Sequence, residues 1–357
     1  MNNNKIFFIA EAWVNHNWDI NLAYKLIDEA KKAWADAVKF QTFKAKDIVT
    51  SEWKMANYQK KNLWLEESQY EMLKKLELSY EDFKDLKKYC DKKGIMFLST
   101  PHSSFEDIDF LNDLWMKYFK FGSWDLNNIP FLQYAAKFNK PLILWTWMSY
   151  LDEVKYSVEV IKKVWNNDII VLHATTNYPC PFNEVNLNAM ITMQKELDVQ
   201  VWYSDHTLWW EVPVLSALYW AKVIEKHFTL DNDMSWPDHK ASANIEMLKI
   251  IISKVRKVER WELNLEYVKK ELWDIYEVIM WSSEKKPNNS ELETMNLIKK
   301  SIVLARDIKE WEIIWENDLS IKRPMWWLEP RYYYDLIWKK VKSNLNKDYK
   351  IKLTDVE

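Results

Sequence analysis

Glycine is almost absent from this chain, whose 357 residues include only Gly94 and Gly122. Cysteine is equally scarce, and Cys90 and Cys180 alone exclude a disulfide framework and fit a reducing compartment. No hydrophobic run approaches membrane-spanning length, and the N-terminal apolar stretch is too short for a signal peptide. These absences predict a soluble, cytoplasmic protein that has no membrane partner.

An excess of charge of one sign is also missing. Lys and Arg number 50 and Asp and Glu number 53, which gives a formal net charge of −3. A protein whose main partner is nucleic acid usually carries a strong positive excess. We therefore expect small-molecule partners and no nucleic acid. The chain is long enough for one large domain and a small one.

Tryptophan, in contrast, occurs 23 times. Tryptophan and glycine together make up about 7% of the chain, which is the ordinary share of glycine alone. Many tryptophans stand where the backbone favours glycine, after helical segments as Gly94 does, or in tight turns. The clearest positions are Trp18, Trp34, Trp115, Trp220 and Trp311. We hypothesise that most of these tryptophans are glycine in the natural protein. The source organism would read one codon as glycine, with UGA as the candidate, and the same codon is translated here as tryptophan.

Short β-rich runs alternate with amphipathic helical segments along most of the chain, a pattern typical of parallel sheets. Eight strand–helix units over about 280 residues predict a (β/α)8 TIM barrel of the α/β class. The predicted strands cover residues 5–12, 36–43, 94–100, 118–123, 141–146, 169–175, 199–205 and 221–228. Residues 50–80 form an insertion after the second strand, which we expect to be mostly helical.

A polar stretch, SSEKKPNNSELE, separates this pattern from a different one. The residues that follow it read as short strands and turns with one helix near the end. We therefore predict a barrel domain over residues 1–281, a linker over 282–297, and a small β-rich domain over 298–357.

Polar side chains stand at the carboxyl end of almost every predicted strand, where the active sites of such barrels lie. Lys39 and Lys120 predict an anion site, with nearby hydroxyl groups as donors. The alternative is that these lysines point outward into solvent. Alternation along the strand opposes this alternative for Lys39. The neighbours Val38 and Phe40 are apolar and are expected to face the helix layer, which places Lys39 on the inner side of the sheet.

His206 and His227 end adjacent predicted strands, where they could share one divalent cation and leave positions open for water or substrate. Taken singly, each of the six histidines is better explained as a hydrogen-bonded structural residue, and only the pair favours a metal. Glu11 could act as an acid or base, accept a hydrogen bond from a sugar hydroxyl, or pair with Lys39. No base stands near Cys180 in the sequence, so a nucleophilic role is not expected.

Nine segments carry a family likeness once tryptophan is read as glycine: IAEAWVNHNWD, VKFQTFKA, FLSTP, KFGSWD, LWTWM, TNYPCPF, YSDHT, IEKHFTLD and MSWPDHKAS. In this order they resemble the N-acetylneuraminate (sialic acid) synthase family. ARDIKEWEII, IKRPMWWL and DLIWKKV are similar to that family's antifreeze-like (SAF) C-terminal domain. The resemblance covers essentially the whole chain, and it supports the glycine hypothesis because the family has glycine at most of these tryptophan positions.

The resemblance implies a condensation of phosphoenolpyruvate with an open-chain N-acyl aminohexose, with release of phosphate by C–O cleavage. N-acetylneuraminate synthesis from N-acetylmannosamine is the expected activity, and legionaminate or pseudaminate synthesis from a 2,4-diacetamido hexose is the alternative. MSWPDHKAS favours the first two branches over pseudaminate. Three features depart from the common family pattern and put the sugar contacts and the pocket shape in question: Asp125, Trp145 and the run His102-Ser103-Ser104.

Residue roles also follow from the resemblance. His206 and His227 would hold Mn2+, with Mg2+ or Co2+ as alternatives, to polarise the sugar aldehyde. The positions that match phosphoenolpyruvate binding are Lys39, Thr100, Lys120, Ser123, Asn177 and Ser204. The positions that match the surroundings of the sugar and of the metal-bound water are Glu11, Gln41, Tyr178, Glu225 and Asp238. Arg323 matches an arginine that one protomer offers to its partner's barrel, which implies a domain-swapped homodimer.

Two readings of other classes remain open. A Schiff-base aldolase on the same fold would use Lys39 or Lys120 as its nucleophile. A non-enzymatic carbohydrate-binding protein would stack sugars on its tryptophans, and it requires these residues to be tryptophan in the natural protein.

Overall fold

The computed structural model describes residues 5–48, 69–102, 104–235, 238–325 and 327–357. Eight parallel strands form its main sheet: β1 (Phe7–Trp13), β2 (Ala37–Thr42), β3 (Met96–Pro101), β4 (Phe119–Phe121), β5 (Leu142–Trp145), β6 (Ile169–His173), β7 (Gln200–Asp205) and β8 (Val223–His227). Each predicted strand is present, with its ends shifted by no more than two residues. The order is β3-β2-β1-β8-β7-β6-β5-β4, and β3 packs beside β4. The sheet is therefore a nearly closed barrel, and the (β/α)8 prediction is confirmed.

Helices surround the strands and follow them in the chain. They are α1 (Ile20–Lys32), α2 (Ala45–Ile48), α3 (Gln69–Lys75), α4 (Tyr80–Lys93), α5 (Phe105–Asp113), α6 (Ile129–Ala136), α7 (Leu151–Lys162), α8 (Leu187–Glu196), α9 (Glu211–Leu218), α10 (Ile245–Glu259), α11 (Leu265–Leu272), α12 (Asp274–Met280), α13 (Asn289–Ile298) and α14 (Tyr333–Leu336). Of the predicted helical insertion, residues 50–68 lie outside the described part, and α3 occupies residues 69–75. In the described ranges no helix is both long and apolar enough to cross a membrane.

Local sequence signals explain where several helices begin and end. The Asp19 side chain accepts a hydrogen bond from the Asn21 backbone N–H and so caps the start of α1. Ser79 and Asp82 form a reciprocal capping box at the start of α4. The same helix ends at Gly94, whose φ of 66° lies in the left-handed region that glycine adopts without strain.

The segment predicted as a linker contains a helix that packs on the barrel. Asn288 and Glu291 form the capping box that starts α13. The Glu291 carboxylate also accepts hydrogen bonds from the backbone N–H groups of Met148, at 3.0 Å, and Thr176, at 2.9 Å. These bonds attach α13 to the loops after β5 and β6. The polar residues that the sequence analysis assigned to a linker therefore include the capping residues at the start of a helix.

The last sixty residues or so form a small unit with an apolar core of its own. Its strands β9 (Ser301–Leu304) and β10 (Leu319–Lys322) pair antiparallel. Buried side chains from both strands and from the following segments pack together, separately from the core of the barrel. The unit contains Ile302, Leu304, Ile314, Leu336, Val341 and Ile351 in this core. Its assignment as an antifreeze-like domain stays a prediction.

Candidate active site

The strand register sets a group of polar side chains at one level of the barrel. Glu11 of β1 lies opposite Lys39 of β2 and opposite His227 of β8. Ser204 of β7 lies opposite Glu225 of β8, two residues before His227. Because side chains alternate along a strand, these five project to the same side of the sheet. They lie near the carboxyl ends of their strands, as the sequence predicts.

Two lysines and two carboxylates form a buried charge cluster at this level. Lys39 Nζ contacts Glu11 Oε2, lies 3.6 Å from Glu225 Oε2, and donates to Thr100 Oγ1 at 3.3 Å. Lys120 Nζ, from β4, lies 3.6 Å from Glu225 Oε1. None of the four charged side chains has any exposed surface. Two buried cations this close together form a site for an anionic ligand.

The surroundings of these groups change their ionisation in opposite directions. Burial raises the pKa of Glu11 to about 7, against the opposing charge of Lys39. Burial acts in the same direction on Glu225, but the charges of Lys120 and Lys39 outweigh it and lower the pKa of this carboxyl. Burial lowers the pKa of Lys120 well below its usual value. Glu11 can therefore exchange a proton near neutral pH, while Glu225 stays ionised.

His206 and His227 lie side by side, with ring centroids 5.1 Å apart. His206 Nδ1 is hydrogen-bonded to the Thr175 carbonyl oxygen, which fixes the tautomer and leaves Nε2 3.2 Å from the Tyr178 hydroxyl. Neither ring nitrogen of His227 has a hydrogen-bond partner within the described residues. Burial lowers the pKa of His206 to about 4 and that of His227 well below its usual value. Both rings are neutral, which is the form that binds a metal.

The histidine pair fits a divalent cation in its donor atoms, in its neutral ionisation state and in the two unsatisfied ring nitrogens of His227. In the part of the chain that the structure describes, no group of three or more His, Cys, Asp or Glu side chains is close enough to hold one ion. A cation at this pair would take its remaining ligands from water or substrate.

The other predicted phosphoenolpyruvate contacts are only partly brought together. The Ser204 hydroxyl donates to Glu225 Oε1 at 3.0 Å, inside the charge cluster. The Ser123 hydroxyl is buried after β4 and has no hydrogen-bond partner among the described residues. Asn177 is half-buried and donates its amide to Glu184 Oε2 at 3.0 Å instead. Its predicted role would require this side chain to turn.

Two predicted residues near the sugar site lie apart from the charge cluster. Gln41 of β2 is buried, and its Nε2 has no hydrogen-bond partner within the described ranges. Asp238 lies on the loop after β8, and burial raises its pKa to about 7. No hydrogen bond or ion pair joins the Asp238 carboxylate to another predicted site residue in the described part of the chain.

Arg323 reaches the barrel of its own chain. Its backbone N–H donates to the Ile48 carbonyl oxygen at 3.1 Å, and its guanidinium Nη2 lies 3.5 Å from His102 Nε2. The resemblance implies instead that the arginine enters a partner's barrel. Only two residues, Lys299 and Lys300, separate α13 from β9, so the connection to the unit that carries Arg323 is short. The swapped homodimer, whose only basis is Arg323, stays a prediction.

Lys300 is a site neighbour that the sequence reasoning missed. Its Nζ lies 2.7 Å from Asp125 Oδ1, which also accepts from Asn128 Nδ2 at 2.8 Å. Lys300 and Asp125 are both fully buried, and burial lowers the pKa of Lys300 to about 8. Asp125 draws attention as a departure from the family pattern. Nothing in the run of lysines around Lys300 distinguishes it, because only the folded C-terminal unit brings it to the barrel.

Trp145, at the end of β5, occupies the centre of the barrel mouth. Its ring centroid lies 3.2 Å from Lys120 Nζ and 4.6 Å from Lys39 Nζ. The same ring stacks on His227, with centroids 6.0 Å apart, and meets His206 edge-on at 5.8 Å. The indole therefore stands between the lysines and the histidines.

Three more tryptophans fill the space around Trp145. Trp124 and Trp147 pack against Trp145 at centroid distances of 5.9 and 6.1 Å, and all three are buried. Trp13 lies 5.0 Å from the ring of His227. We call the indoles of Trp13, Trp124, Trp145 and Trp147 the mouth indoles. They close the candidate site to solvent.

Three of the four histidines outside the pair, all but His102, form structural hydrogen bonds. His16 Nδ1 accepts from the Trp18 backbone N–H at 3.1 Å. His173 Nε2 is hydrogen-bonded to the Val185 carbonyl oxygen at 3.0 Å. His239 is hydrogen-bonded through one ring nitrogen to Thr229 and through the other to Asn17. Burial raises the pKa of the Cys180 thiol well above its usual value, so it is a poor nucleophile.

Comparison with known proteins gives a consistent result. A sequence model described as the NeuB family matches residues 26–265. The N,N'-diacetyllegionaminic acid synthase of Campylobacter jejuni is 40% identical over 346 residues, which cover 96% of this chain and 98% of that protein. The enzyme of the same name from Legionella pneumophila is 39% identical over 344 residues, which cover 95% and 91%.

More distant similarities extend the same picture. The human N-acetylneuraminate-9-phosphate synthase is 28% identical over 348 residues, which cover 96% of this chain and 90% of that protein. The solved structure of the spore coat polysaccharide biosynthesis protein SpsE from Bacillus subtilis superposes with a TM-score of 0.82 at 28% identity. That superposition covers 99% of this chain and 95% of the other.

Proposed function

The chain belongs to the NeuB family, and on that premise we propose that it condenses phosphoenolpyruvate with a 2,4-diacetamido hexose and water to a legionaminate-type sugar acid and phosphate. The observation that carries this proposal is the pair of buried lysines, Lys39 and Lys120, at the barrel level of His227. A doubly anionic substrate needs such a pair, and an open-chain sugar needs a polarised aldehyde beside it.

The choice of sugar follows the similarities. The sequence alone favours N-acetylneuraminate synthesis from N-acetylmannosamine, with legionaminate or pseudaminate as the alternative. The two diacetyllegionaminic acid synthases are 40% and 39% identical to this chain, whereas the human N-acetylneuraminate-9-phosphate synthase is 28% identical. These identities support the alternative better than the first choice. We therefore place the diacetamido sugar first.

The lysines and hydroxyl groups bind the first substrate in this proposal. Lys39 and Lys120 neutralise the phosphate and carboxylate, and Thr100 and Ser204 add hydroxyl donors. Glu225 lies between the lysines and holds both at the same level. Carbon 3 of phosphoenolpyruvate forms the new bond to the sugar aldehyde carbon. Water then adds at carbon 2, and the C–O bond to phosphate breaks.

The histidine pair would hold a divalent cation, Mn2+ first with Mg2+ or Co2+ as alternatives, which when bound polarises the aldehyde. Glu11 is suited to take the proton of the attacking water, because a carboxyl with a pKa of about 7 exchanges protons efficiently near neutral pH. The Nδ1 hydrogen bond to the Thr175 carbonyl oxygen orients His206, and the Tyr178 hydroxyl beside Nε2 would move aside when the cation binds there. Arg323 and Lys300 add positive charge at the same mouth.

Phosphate release tests the proposal. The chain is made with glycine at the 23 tryptophan positions, and release from phosphoenolpyruvate is compared with N-acetylmannosamine and with a 2,4-diacetamido hexose. We expect release with the diacetamido sugar that a chelator abolishes and Mn2+ restores. Release with N-acetylmannosamine alone would return the first choice, and no release with either sugar from a folded chain would reject the proposed reaction.

A Schiff-base aldolase remains the second candidate because one observation favours it. Burial lowers the pKa of Lys120 well below its usual value, which favours the neutral amine that can attack a carbonyl. Borohydride in the presence of pyruvate would then attach the substrate covalently to Lys120, and peptide mass spectrometry would locate it. We expect no adduct, because the amine lies beside the Glu225 carboxylate, which favours its charged form.

A further inference from the structure

Ten tryptophans have a backbone conformation that strains them. Among the residues that the structure describes, fifteen residues other than glycine have φ between 41° and 70°, and ten of these are tryptophan. Gly94, with φ 66°, shows which residue takes the same turn without strain in this chain. A side-chain-bearing residue in this region costs about 1 kcal/mol. Ten such residues cost roughly 10 kcal/mol, which is comparable with the whole stability of a domain.

Nine of these ten tryptophans are also largely exposed, so burial does not offset the strain. Trp34, Trp115 and Trp165, for example, expose 79%, 86% and 88% of their surface. These three follow α1, α5 and α7, as Gly94 follows α4. The nine are Trp18, Trp34, Trp115, Trp165, Trp220, Trp261, Trp273, Trp311 and Trp338. Their positions follow the needs of the backbone and not those of a surface patch.

Three of the four mouth indoles are unfavourable because of their burial. Trp124, Trp145 and Trp147 are buried, yet none of their Nε1–H groups has a hydrogen-bond partner within the described residues. A buried N–H without a partner costs about 1–3 kcal/mol. The polar groups around them also lack partners, since both His227 nitrogens are unsatisfied in the described part. The indole rings thus occupy a space that is lined by polar side chains.

We infer that the functional protein carries glycine at positions 13, 124, 145 and 147, and that the space filled by the mouth indoles is what admits substrate to the buried lysines and histidines. The inference rests on the proposed function for the identity of that substrate. Glycine at these positions removes the rings that separate Lys120 from His206 and His227, and it leaves the surrounding strands in place. The four positions decide whether the site accepts a ligand at all.

Two full-length chains test this inference. One has glycine at all 23 tryptophan positions, and the matched control keeps tryptophan at the four mouth positions and has glycine at the other 19. Both relieve nine of the ten strained positions, and only Trp13 keeps its positive φ in the control. Both chains are therefore expected to fold, and circular dichroism with denaturant unfolding checks this. Lys120 is the reporter, because it lies directly against the Trp145 ring and has no exposed surface. Reductive methylation with formaldehyde followed by peptide mass spectrometry measures its access to solvent.

We expect Lys120 to be methylated at least tenfold faster in the all-glycine chain, and phosphoenolpyruvate to bind only to that chain in calorimetry. Equal protection of Lys120 in both folded chains, or equal binding of phosphoenolpyruvate, would overturn the inference. Methylation that increases in the all-glycine chain without phosphate release from either sugar would reject the proposed reaction and leave the inference standing.

Peptide masses of the protein isolated from its own source cells test the residues themselves. Glycine at the four mouth positions is the expected result. Tryptophan at any of them would overturn the inference for that position, whatever the engineered chains do.

Discussion

At the scale of single residues, the surroundings of a carboxyl group decide its role more than its chemical type does. Glu11 and Glu225 are alike in structure and equally buried. Glu225 lies between two lysines and is held ionised, whereas the pKa of Glu11 is raised by burial to about 7. Such a divergence between neighbouring carboxyls is how one site obtains both a fixed charge and a proton acceptor.

Glu225→Gln is expected to destabilise the chain, because it leaves Lys39 and Lys120 close together without the negative charge between them. Breaking a buried ion pair from one side costs about 3–5 kcal/mol. Urea unfolding measures the loss. Glu246→Gln is the control, since this exposed carboxylate forms only a surface pair with Lys249 and should change stability by less than about 0.5 kcal/mol. Equal effects of the two substitutions would contradict the prediction.

Asp107 gives a pH-dependent prediction away from the site. Its carboxyl accepts a hydrogen bond from Tyr80 at 2.7 Å, and burial raises its pKa to about 7. Because the pKa of Asp107 is higher in the folded than in the unfolded chain, its contribution to the free energy of unfolding is fully present below about pH 4. This contribution is lost as the pH rises through about 7. The upper limit of the loss is about 4 kcal/mol.

Asp107→Asn removes the ionisation and keeps an acceptor for the Tyr80 hydroxyl. Urea unfolding at about pH 5 and pH 8 should therefore show a smaller decrease in stability for this variant than for the parent chain. Asp109→Asn is the matched control, because Asp109 also accepts from a tyrosine, Tyr134, but is only half-buried. An unchanged pH slope in Asp107→Asn would show that burial of this carboxyl does not govern it.

At the scale of secondary-structure elements, several helices end in turns where a tryptophan has a positive φ. Trp34 lies just after α1 with φ 67°, the conformation that Gly94 adopts at the end of α4. Trp34→Gly is expected to stabilise the chain by up to about 1 kcal/mol, because the relief of strain exceeds the added freedom of the unfolded chain. Thermal unfolding measures the gain.

Trp209→Gly is the matched control for Trp34→Gly. Trp209 is also exposed, at 50%, but it is not among the residues with positive φ. Here glycine only adds freedom to the unfolded chain, so no gain or a small loss is expected. A gain of the same size at both positions would show that removal of an exposed indole, and not relief of strain, is the cause.

The elements themselves were predictable because their signals are local. Short β-rich runs between amphipathic helical segments place each strand to within two residues, and alternation along the strand turns Lys39 inward. The pairing of His206 with His227 follows from their positions at adjacent strand ends. Lys300 was not predictable, because its contact with Asp125 depends on how the C-terminal unit packs. The helix α13 was missed because its capping residues have the composition of a linker.

At the scale of the whole molecule, the arrangement of the C-terminal unit can be tested by mixing two inactive chains. Both substitutions are made in the chain that has glycine at all 23 tryptophan positions. Arg323→Ala leaves the barrel intact, and His206→Ala leaves the C-terminal unit intact. Because Arg323 lies against the barrel of its own chain, the mixture is expected to regain no activity. Recovery of a substantial part of the parent activity on mixing would instead establish the domain-swapped homodimer. Light scattering on each chain alone reports whether a dimer forms at all.

The anchoring of α13 by Glu291 sets a limit on any such exchange. This carboxylate holds the helix to the loops after β5 and β6. The connecting segment between the barrel and the C-terminal unit is therefore only Lys299 and Lys300. Two extended residues reach about 7 Å. Two chains that exchange these units must therefore bring the carboxyl ends of their barrel strands to face each other, with the connecting segment of each chain beside the two-fold axis. A back-to-back or side-by-side dimer would leave each unit with its own barrel.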